Sequence, residues 1–546
     1  MQQRLSRLRS FARDKGGNVA ILFGLALIPI VIGVGAAIDY GRALVVRDHM
    51  ADAADAAALA IGSWPGLTQA QQMTKAQQFF TANYPPSKLG TVGTLNVVFS
   101  GDNINVSVSG TVQTTFMKLA NINTLAVGAN AVITKKERNI ELVLVLDTTG
   151  SMGSGGKLSS LKTAAKQLVS TLFAGQATST TVKIAVVPFA AAVNVGPSQI
   201  ANNPGWFDLN AYTAGNASSD PVAFEDLDKT SGVSTYNLYH NSGNAKAMKT
   251  ENWAGCVRER SSNTAYELTD APPSTTDPAS RWVPYFAPDE PDKASNTTFD
   301  NTYMCDNPSK CSNGNSTTAP TATCYCPPGI TCTSTNDQRQ CNSAKYKGAT
   351  VSGGEGPDMN CPPASITPLT NVASTINTAI DALVAKGSTV IPSGLLWGWR
   401  VISPTPPFTE GTDYANDKVS KAIVLLTDGE NDVNAGNNGF NKSDYNAFGY
   451  AKNGHLGSTS GSNADSTLDT KTLTVCNAIK NASPTNPVQL YTIGLGVTSA
   501  SQTLLTNCAS TDDKGNKLYY NSPTSQQLAS IFQDIAQGLS ELRIAQ

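Results

Sequence analysis

The chain has 546 residues, a formal net charge of −2 and 15% charged residues, so no basic excess marks it as a nucleic-acid binder. It is too long for one ordinary domain, and 40% hydrophobic residues suffice for more than one core. Abundant Gly, Asn, Ser and Thr fit a loop-rich extracytoplasmic protein better than a lean cytosolic enzyme.

At the N-terminus, Arg4, Arg7, Arg9, Arg13 and Lys15 precede Val19 to Ile38, a run of 20 residues without a charge. A helix of that length crosses a bilayer. The basic flank assigns residues 1–18 to the cytoplasm and everything after Asp39 to the far side. A cleaved signal peptide is the alternative: its apolar region is usually shorter, about 7–15 residues, yet Gly35-Ala36-Ala37 would serve as a cleavage site. The length of the run favours an uncleaved anchor. Arg42 to Ile61 is alanine-rich and reads as a helix continuing out of the membrane, a stalk over residues 39–64.

Residues 65–136 read as a small α+β membrane-proximal domain. Gln69 to Phe80 is a predicted helix, and Leu95–Phe99 and Asn103–Val112 alternate as a hairpin around Gly101-Asp102, with a further strand over Leu125–Ile133. Three stretches of this region, Gly16 to Phe23, Asp39-Tyr40-Gly41-Arg42 and Ala51-Asp52 to Ala60, resemble the N-terminus of TadG-type proteins of the bacterial Tad (Flp) pilus assembly system. Pilins of such systems are cut after a glycine that is followed, five residues on, by glutamate. Here Leu22 stands at that distance from Gly17, so the resemblance implies a permanent inner-membrane anchor.

Ile140 to Leu146 is apolar enough to be buried on both faces, as strands of a parallel sheet are, and it ends at Asp147. Such sheets place ligand sites outside the carboxyl ends of their strands. Leu158–Phe173 has helical spacing and Val182–Phe189 is a second apolar strand. From 197 to 363 regular pattern nearly vanishes, then Ile366-Thr-Pro-Leu-Thr, a helix over Asn371–Ala385 and the loop Gly387-Ser388-Thr389 follow. Ala422–Thr427 is another buried-type strand and ends at Asp428-Gly429. Lys471–Asn481 reads as a helix, Val488–Ile493 as a strand and Leu528–Leu542 as a closing helix. This alternation implies an α/β fold, a doubly wound, mostly parallel sheet over residues 138–546 with a large disulfide-rich insertion at 197–363.

Eight of the ten cysteines lie between Cys256 and Cys361. An even count on an exported chain favours disulfides, and eight cysteines leave 105 connectivities open. Cys476, in a predicted helix, and Cys508, after the next strand, read as a pair. Zinc is the rival reading, but no CxxC pair occurs and neither His240 nor His455 has ligand-like spacing to a cysteine. The insertion leaves and rejoins the sheet beside the Thr389 loop, which places it near the face carrying Asp147.

Asp147, with hydroxyls at Thr149 and Ser151, makes a hard oxygen site suited to Mg²⁺ or Mn²⁺. Taken singly, Asp147 reads equally as a helix cap, and Asp428-Gly429 as a turn. In order, Asp147-x-Thr149-x-Ser151, then Thr389, then Asp428 resembles the metal-ion-dependent adhesion site (MIDAS) of von Willebrand factor A (vWA) domains, with Thr149 where that pattern has serine. The resemblance implies a Rossmann-like vWA fold in which Thr149, Ser151 and Thr389 offer oxygens to Mg²⁺ (or Mn²⁺), directly or through water. Asp147 and Asp428 would hold coordinating waters, leaving one position open for a partner's acidic side chain. The partners implied are pilus or secretion-system proteins, or a surface ligand offering a carboxylate. Gly394-Leu-Leu-Trp-Gly-Trp399-Arg400 and Trp282 to Asp289 also resemble stretches of TadG-type domains.

Enzyme signatures are weak. Gly153-Ser-Gly-Gly156-Lys157 misses the phosphate-loop pattern at Ser151 and Leu158, and no HExxH or GxSxG occurs. Of three histidines, His49 falls in the stalk, and His240 and His455 fall in polar stretches read as solvated. The expectation is a non-enzymatic binding protein; the alternative is a structural envelope tether with a degenerate metal site.

Overall fold

The computed structural model describes residues 17–62, 69–85, 90–100, 103–134, 136–209, 234–245, 247–260, 265–292, 301–304, 306, 334–351, 355–434 and 439–545. The basic residues before Gly17, the Gly101-Asp102 turn and Cys305, Cys311, Cys324, Cys326 and Cys332 lie outside them. Two compact units form: Met1–Glu137 with Ile544–Gln546, and Arg138–Arg543.

The first unit is built on helix α1 (Gly17–Gly62), 46 residues long. At 1.5 Å per residue it measures about 70 Å, more than twice the bilayer's hydrocarbon thickness. Its first half is long and apolar enough to cross a membrane and leaves its side chains exposed. Its second half buries Ala43, Val46, Met50, Ala53, Ala54, Ala57, Ala58 and Ile61, a stripe at three- and four-residue spacing. That stripe packs on helix α2 (Gln69–Asn83) and on an antiparallel sheet. In the sheet, β3 (Asn103–Gln113) pairs with β1 (Thr91–Val92) and β2 (Asn96–Ser100), and also with β4 (Thr124–Thr134). Arg42–Ile61 is therefore the core helix of the small domain, not the free stalk that its alanine content suggests. Alanines bring a sheet close as readily as they leave a helix bare.

In the second unit the central strand is β5 (Asn139–Asp147), flanked in parallel by β6 (Val182–Phe189) and β11 (Val419–Thr427). The parallel run continues through β12 (Gln489–Leu495) to β13 (Tyr519–Ser522). Beyond β6 the sheet turns antiparallel through β7 (Val193–Asn194), β8 (Cys256–Arg258) and β9 (Val283–Pro284), while β10 (Thr367–Thr370) lies antiparallel along β6. The sheet is thus mixed. Successive side chains of β5 point to opposite faces. Leu142, Leu144 and Leu146 meet helices α3 (Lys157–Leu172), α4 (Ala373–Asp381) and α8 (Leu528–Arg543). Val143 and Val145 meet α5 (Ile391–Ile402), α6 (Ala464–Lys480) and α7 (Ser499–Cys508).

The insertion is less irregular than its sequence. It supplies β8 and β9 to the sheet, and it buries Trp253, Trp282, Tyr285, Phe286, Tyr303 and Tyr346. Cys256 and Cys361 are joined across it, and Cys341 is also disulfide-bonded. A second bridge, Cys476–Cys508, ties α6 to α7 with 5.1 Å between Cα atoms. Replacing both Cys476 and Cys508 with serine is expected to lower stability by about 2–4 kcal/mol. An unchanged melting temperature in scanning calorimetry would contradict that expectation.

Candidate metal centre

Two adjacent parallel strands, β5 and β11, end side by side and place Asp147 and Asp428 next to one another. Asp147 is fully buried. Its Oδ1 accepts the Thr149 N–H at 2.8 Å, and its Oδ2 accepts the Thr427 hydroxyl at 2.7 Å and the Asp428 N–H at 3.4 Å. A tight turn over Gly150–Gly153 then brings Ser151 back over the strand ends. The Thr149 and Ser151 hydroxyls are hydrogen-bonded at 3.0 Å, and Ser151 donates to Asp428 Oδ1 at 2.7 Å. Four of the five sequence-predicted residues therefore lie in one hydrogen-bonded chain.

Thr389 arrives from a separate loop. The Gly150 N–H donates to the Gly387 carbonyl at 2.9 Å, drawing that loop against the turn. The backbone of Thr389 is held by paired hydrogen bonds with Asp432, of 2.8 and 3.0 Å. Thr389 and Ser151 line one cleft of about 420 Å³, together with Asp432, Asp444 and the insertion residues Glu355 and Asn360. The end of the insertion thus forms one wall of the cleft.

The electrostatics are those of a site short of positive charge. Burial and then the charge of Asp428 push the Asp147 carboxyl up to about 6, against the hydrogen bonds from Thr149 and Thr427. One cation is already present: Lys157, the first residue of α3, places its Nζ 2.7 Å from Asp428 Oδ2. Lys157 and Thr427 were not legible as site residues. The only signal for Lys157 was a lysine ten residues after Asp147, in a loop that fails the phosphate-binding pattern. His455 corrects another reading, since it is 3% exposed and not solvated.

The donor set suits a hard divalent cation. Two carboxylates and a row of neutral hydroxyls converge, while among the described residues no group of three or more His, Cys, Asp or Glu side chains is placed to hold a metal ion.

Comparison with known families bears on the other unit. The Tad family model, Flp pilus-assembly TadE/G-like, matches residues 17–62. The chain carries a TadE/G-like N-terminal segment. That TadE/G-like segment coincides with α1, so the match covers the apolar helix and the alanine stripe that the small sheet buries. No curated protein sequence matches the chain.

Similar solved structures include the vWF domain of the type V pili tip protein Mfa5 from Porphyromonas gingivalis. It is 10% identical, with a TM-score of 0.31, over 75% of this chain and 97% of that one. The pilus adhesin SpaC from Lactobacillus rhamnosus GG is 10% identical with a TM-score of 0.29, over 84% of this chain and 35% of that one. Proximal thread matrix protein 1 from the mussel byssus, with a zinc-occupied MIDAS motif, is 11% identical with a TM-score of 0.27, over 74% of this chain and 47% of that one. The chain spans less than half the length of the SpaC and mussel structures.

Proposed function

We propose that this chain is a membrane-anchored, extracytoplasmic vWA-type protein of Tad/Flp pilus assembly or adhesion. Asp147, Thr149, Ser151, Thr389 and Asp428 hold Mg²⁺ or Mn²⁺ at the carboxyl ends of β5 and β11. The observation that carries this reading is the convergence of two carboxylates and a row of hydroxyls from chain segments more than 200 residues apart, at the position where a parallel sheet takes its ligand. The bound ion supplies positive charge and an open coordination position for a partner's carboxylate. The chain's own residues do the rest. Thr427 and the Thr149 N–H fix the orientation of Asp147, Ser151 bridges to Asp428, and the wall formed by Glu355 and Asn360 selects what reaches Thr389. The apolar half of α1 holds the protein in the bacterial inner membrane with its bulk on the periplasmic side, and the proposed partners are pilus, secretion-system or surface proteins.

Lys157 sets the terms of ion binding, because its ammonium neutralises the carboxylate that the ion needs. Lys157→Met is expected to raise Mg²⁺ affinity on the order of tenfold by removing a like charge from the site. Titration calorimetry reads the effect, and an unchanged or weaker affinity would place the ion elsewhere. The same ion pair favours a second reading, a structural tether whose site is neutralised by Lys157 and needs no metal. The test is pilus assembly or attachment by cells carrying Asp147→Ala. Loss with normal export supports metal-dependent capture, whereas full activity supports the tether.

A further inference from the structure

The Asp39-Tyr40-Gly41-Arg42 motif has a structural role that points to a second surface. Asp39 is 2% exposed, and its carboxylate accepts the backbone N–H groups of Thr115, Phe116 and Met117 at 2.8–3.0 Å. Arg42 Nη1 donates to the Thr115 hydroxyl at 2.8 Å. One turn earlier, Gly35 is buried beneath Phe116, and a Cβ at Gly35 would lie 2.2 Å from the Phe116 Cβ. The glycine is therefore required for the close approach. These contacts fasten the turn Met117–Ala120 to α1 at the level of Gly35 to Asp39.

That level is the end of the charge-free run Val19 to Ile38. Gly35 lies four residues before Asp39, so the Phe116 side chain reaches about 6 Å further towards the apolar half of α1 than the first charged residue. The same loop exposes two large apolar side chains: Leu119 is 71% exposed and Ile122 is 41% exposed. Lys118, exposed, precedes Leu119 in the turn, and Tyr40, 60% exposed, follows Asp39 on α1. An apolar loop tip with a lysine and an aromatic at its margin matches the boundary between acyl chains and headgroups.

We infer that the loop Thr115–Ile122 is a membrane-embedded foot, with Leu119 and Ile122 in the acyl boundary of the bilayer leaflet that α1 leaves and Lys118 among its phosphates. The inference rests on α1 being a membrane anchor. Its consequence is that the small domain stands on the bilayer in one fixed orientation, because the foot and α1 together define a plane that a lone helix cannot.

The test uses the full chain in nanodiscs of phosphatidylcholine and phosphatidylglycerol, with a nitroxide placed in turn at Leu119→Cys, Leu27→Cys and Thr91→Cys. Among the described residues no cysteine is free, and the chain without an introduced cysteine, carried through the same labelling, gives the background that is subtracted. Leu27 reports the span, and the exposed Thr91 follows Gly90, which touches Val46 about 10 Å beyond Asp39 along the helix. The expected result is a ratio of oxygen to nickel-chelate collision rates at Leu119 that approaches Leu27 and is severalfold above Thr91. A Leu119 label as nickel-accessible as Thr91, with Leu27 in lipid, overturns the foot and leaves the anchor standing. A nickel-accessible Leu27 overturns both. Shielding of Leu119 from both reagents overturns the foot in favour of a contact with a second copy.

Discussion

Asp147→Asn is expected to weaken Mg²⁺ and Mn²⁺ binding on the order of 100-fold while leaving the protein folded. The substitution keeps the shape of the side chain and an oxygen for the Thr149 N–H or the Thr427 hydroxyl, which hold the wild-type carboxylate at 2.8 and 2.7 Å. What it removes is charge. In the ion-free protein that charge is a burden, because Asp147 is buried beside Asp428, and the ammonium of Lys157 sits on the other carboxylate. The ion-free variant should therefore melt no lower than the wild type. The difference appears when the ion is added: at 100 times its dissociation constant a ligand stabilises the folded wild type by about 2.7 kcal/mol, and the variant should gain almost nothing. Thermal unfolding with and without Mg²⁺ separates the two effects. An equal Mg²⁺-dependent rise in both proteins would remove Asp147 from the site.

The largest effect on folding is expected at Arg400. It is fully buried on α5, donates to Glu259 Oε2 at 2.7 Å and to the Thr269 carbonyl at 3.2 Å, and stacks over Trp397 and Trp282 at 4.9 and 5.1 Å. Ser393 donates to the other Glu259 oxygen at 2.9 Å. Glu259, Thr269 and Trp282 all belong to the insertion, so this cluster is where the inserted chain is locked to the helix that covers β5. Arg400→Met leaves Glu259 buried without its counter-charge and is expected to cost about 3–5 kcal/mol. Glu259→Met combined with Arg400→Met should recover much of that loss, because both members of the ion pair are gone and the neighbouring buried Arg260 keeps the charge of Asp270 nearby. Denaturant unfolding of the single and double variants tests this, and a single variant as stable as wild type would refute it.

The sequence made the parallel core legible because β5, β6 and β11 are short runs dominated by Val, Ile and Leu, and two of them end at Asp147 and at Asp428-Gly429. The site followed from the ends of those strands, since Asp147 closes β5 and Asp428 directly follows β11. Where the pattern failed, burial explains why. Helix α5 is buried on all sides and therefore has no polar face to set a 3.6-residue period. A Cβ at its Gly394 or Gly398 would meet Phe189 or Val145 at 2.6 or 2.5 Å, so these glycines serve the close approach of the helix to the sheet. The insertion looked irregular because its order comes from scattered aromatics and short antiparallel strands, and neither leaves a periodic trace. Lys157 was invisible for another reason: its role depends on Asp428, 271 residues away.

The most direct test of the central claim is a calorimetric titration of Mg²⁺ and Mn²⁺ into the full chain in detergent, beside its Asp147→Asn variant, with both shown to be folded. Saturable binding at a single site in the wild type, absent from the variant, is the predicted result. A folded wild type that binds neither ion, or a variant that binds as well as the wild type, would contradict a metal centre at the ends of β5 and β11.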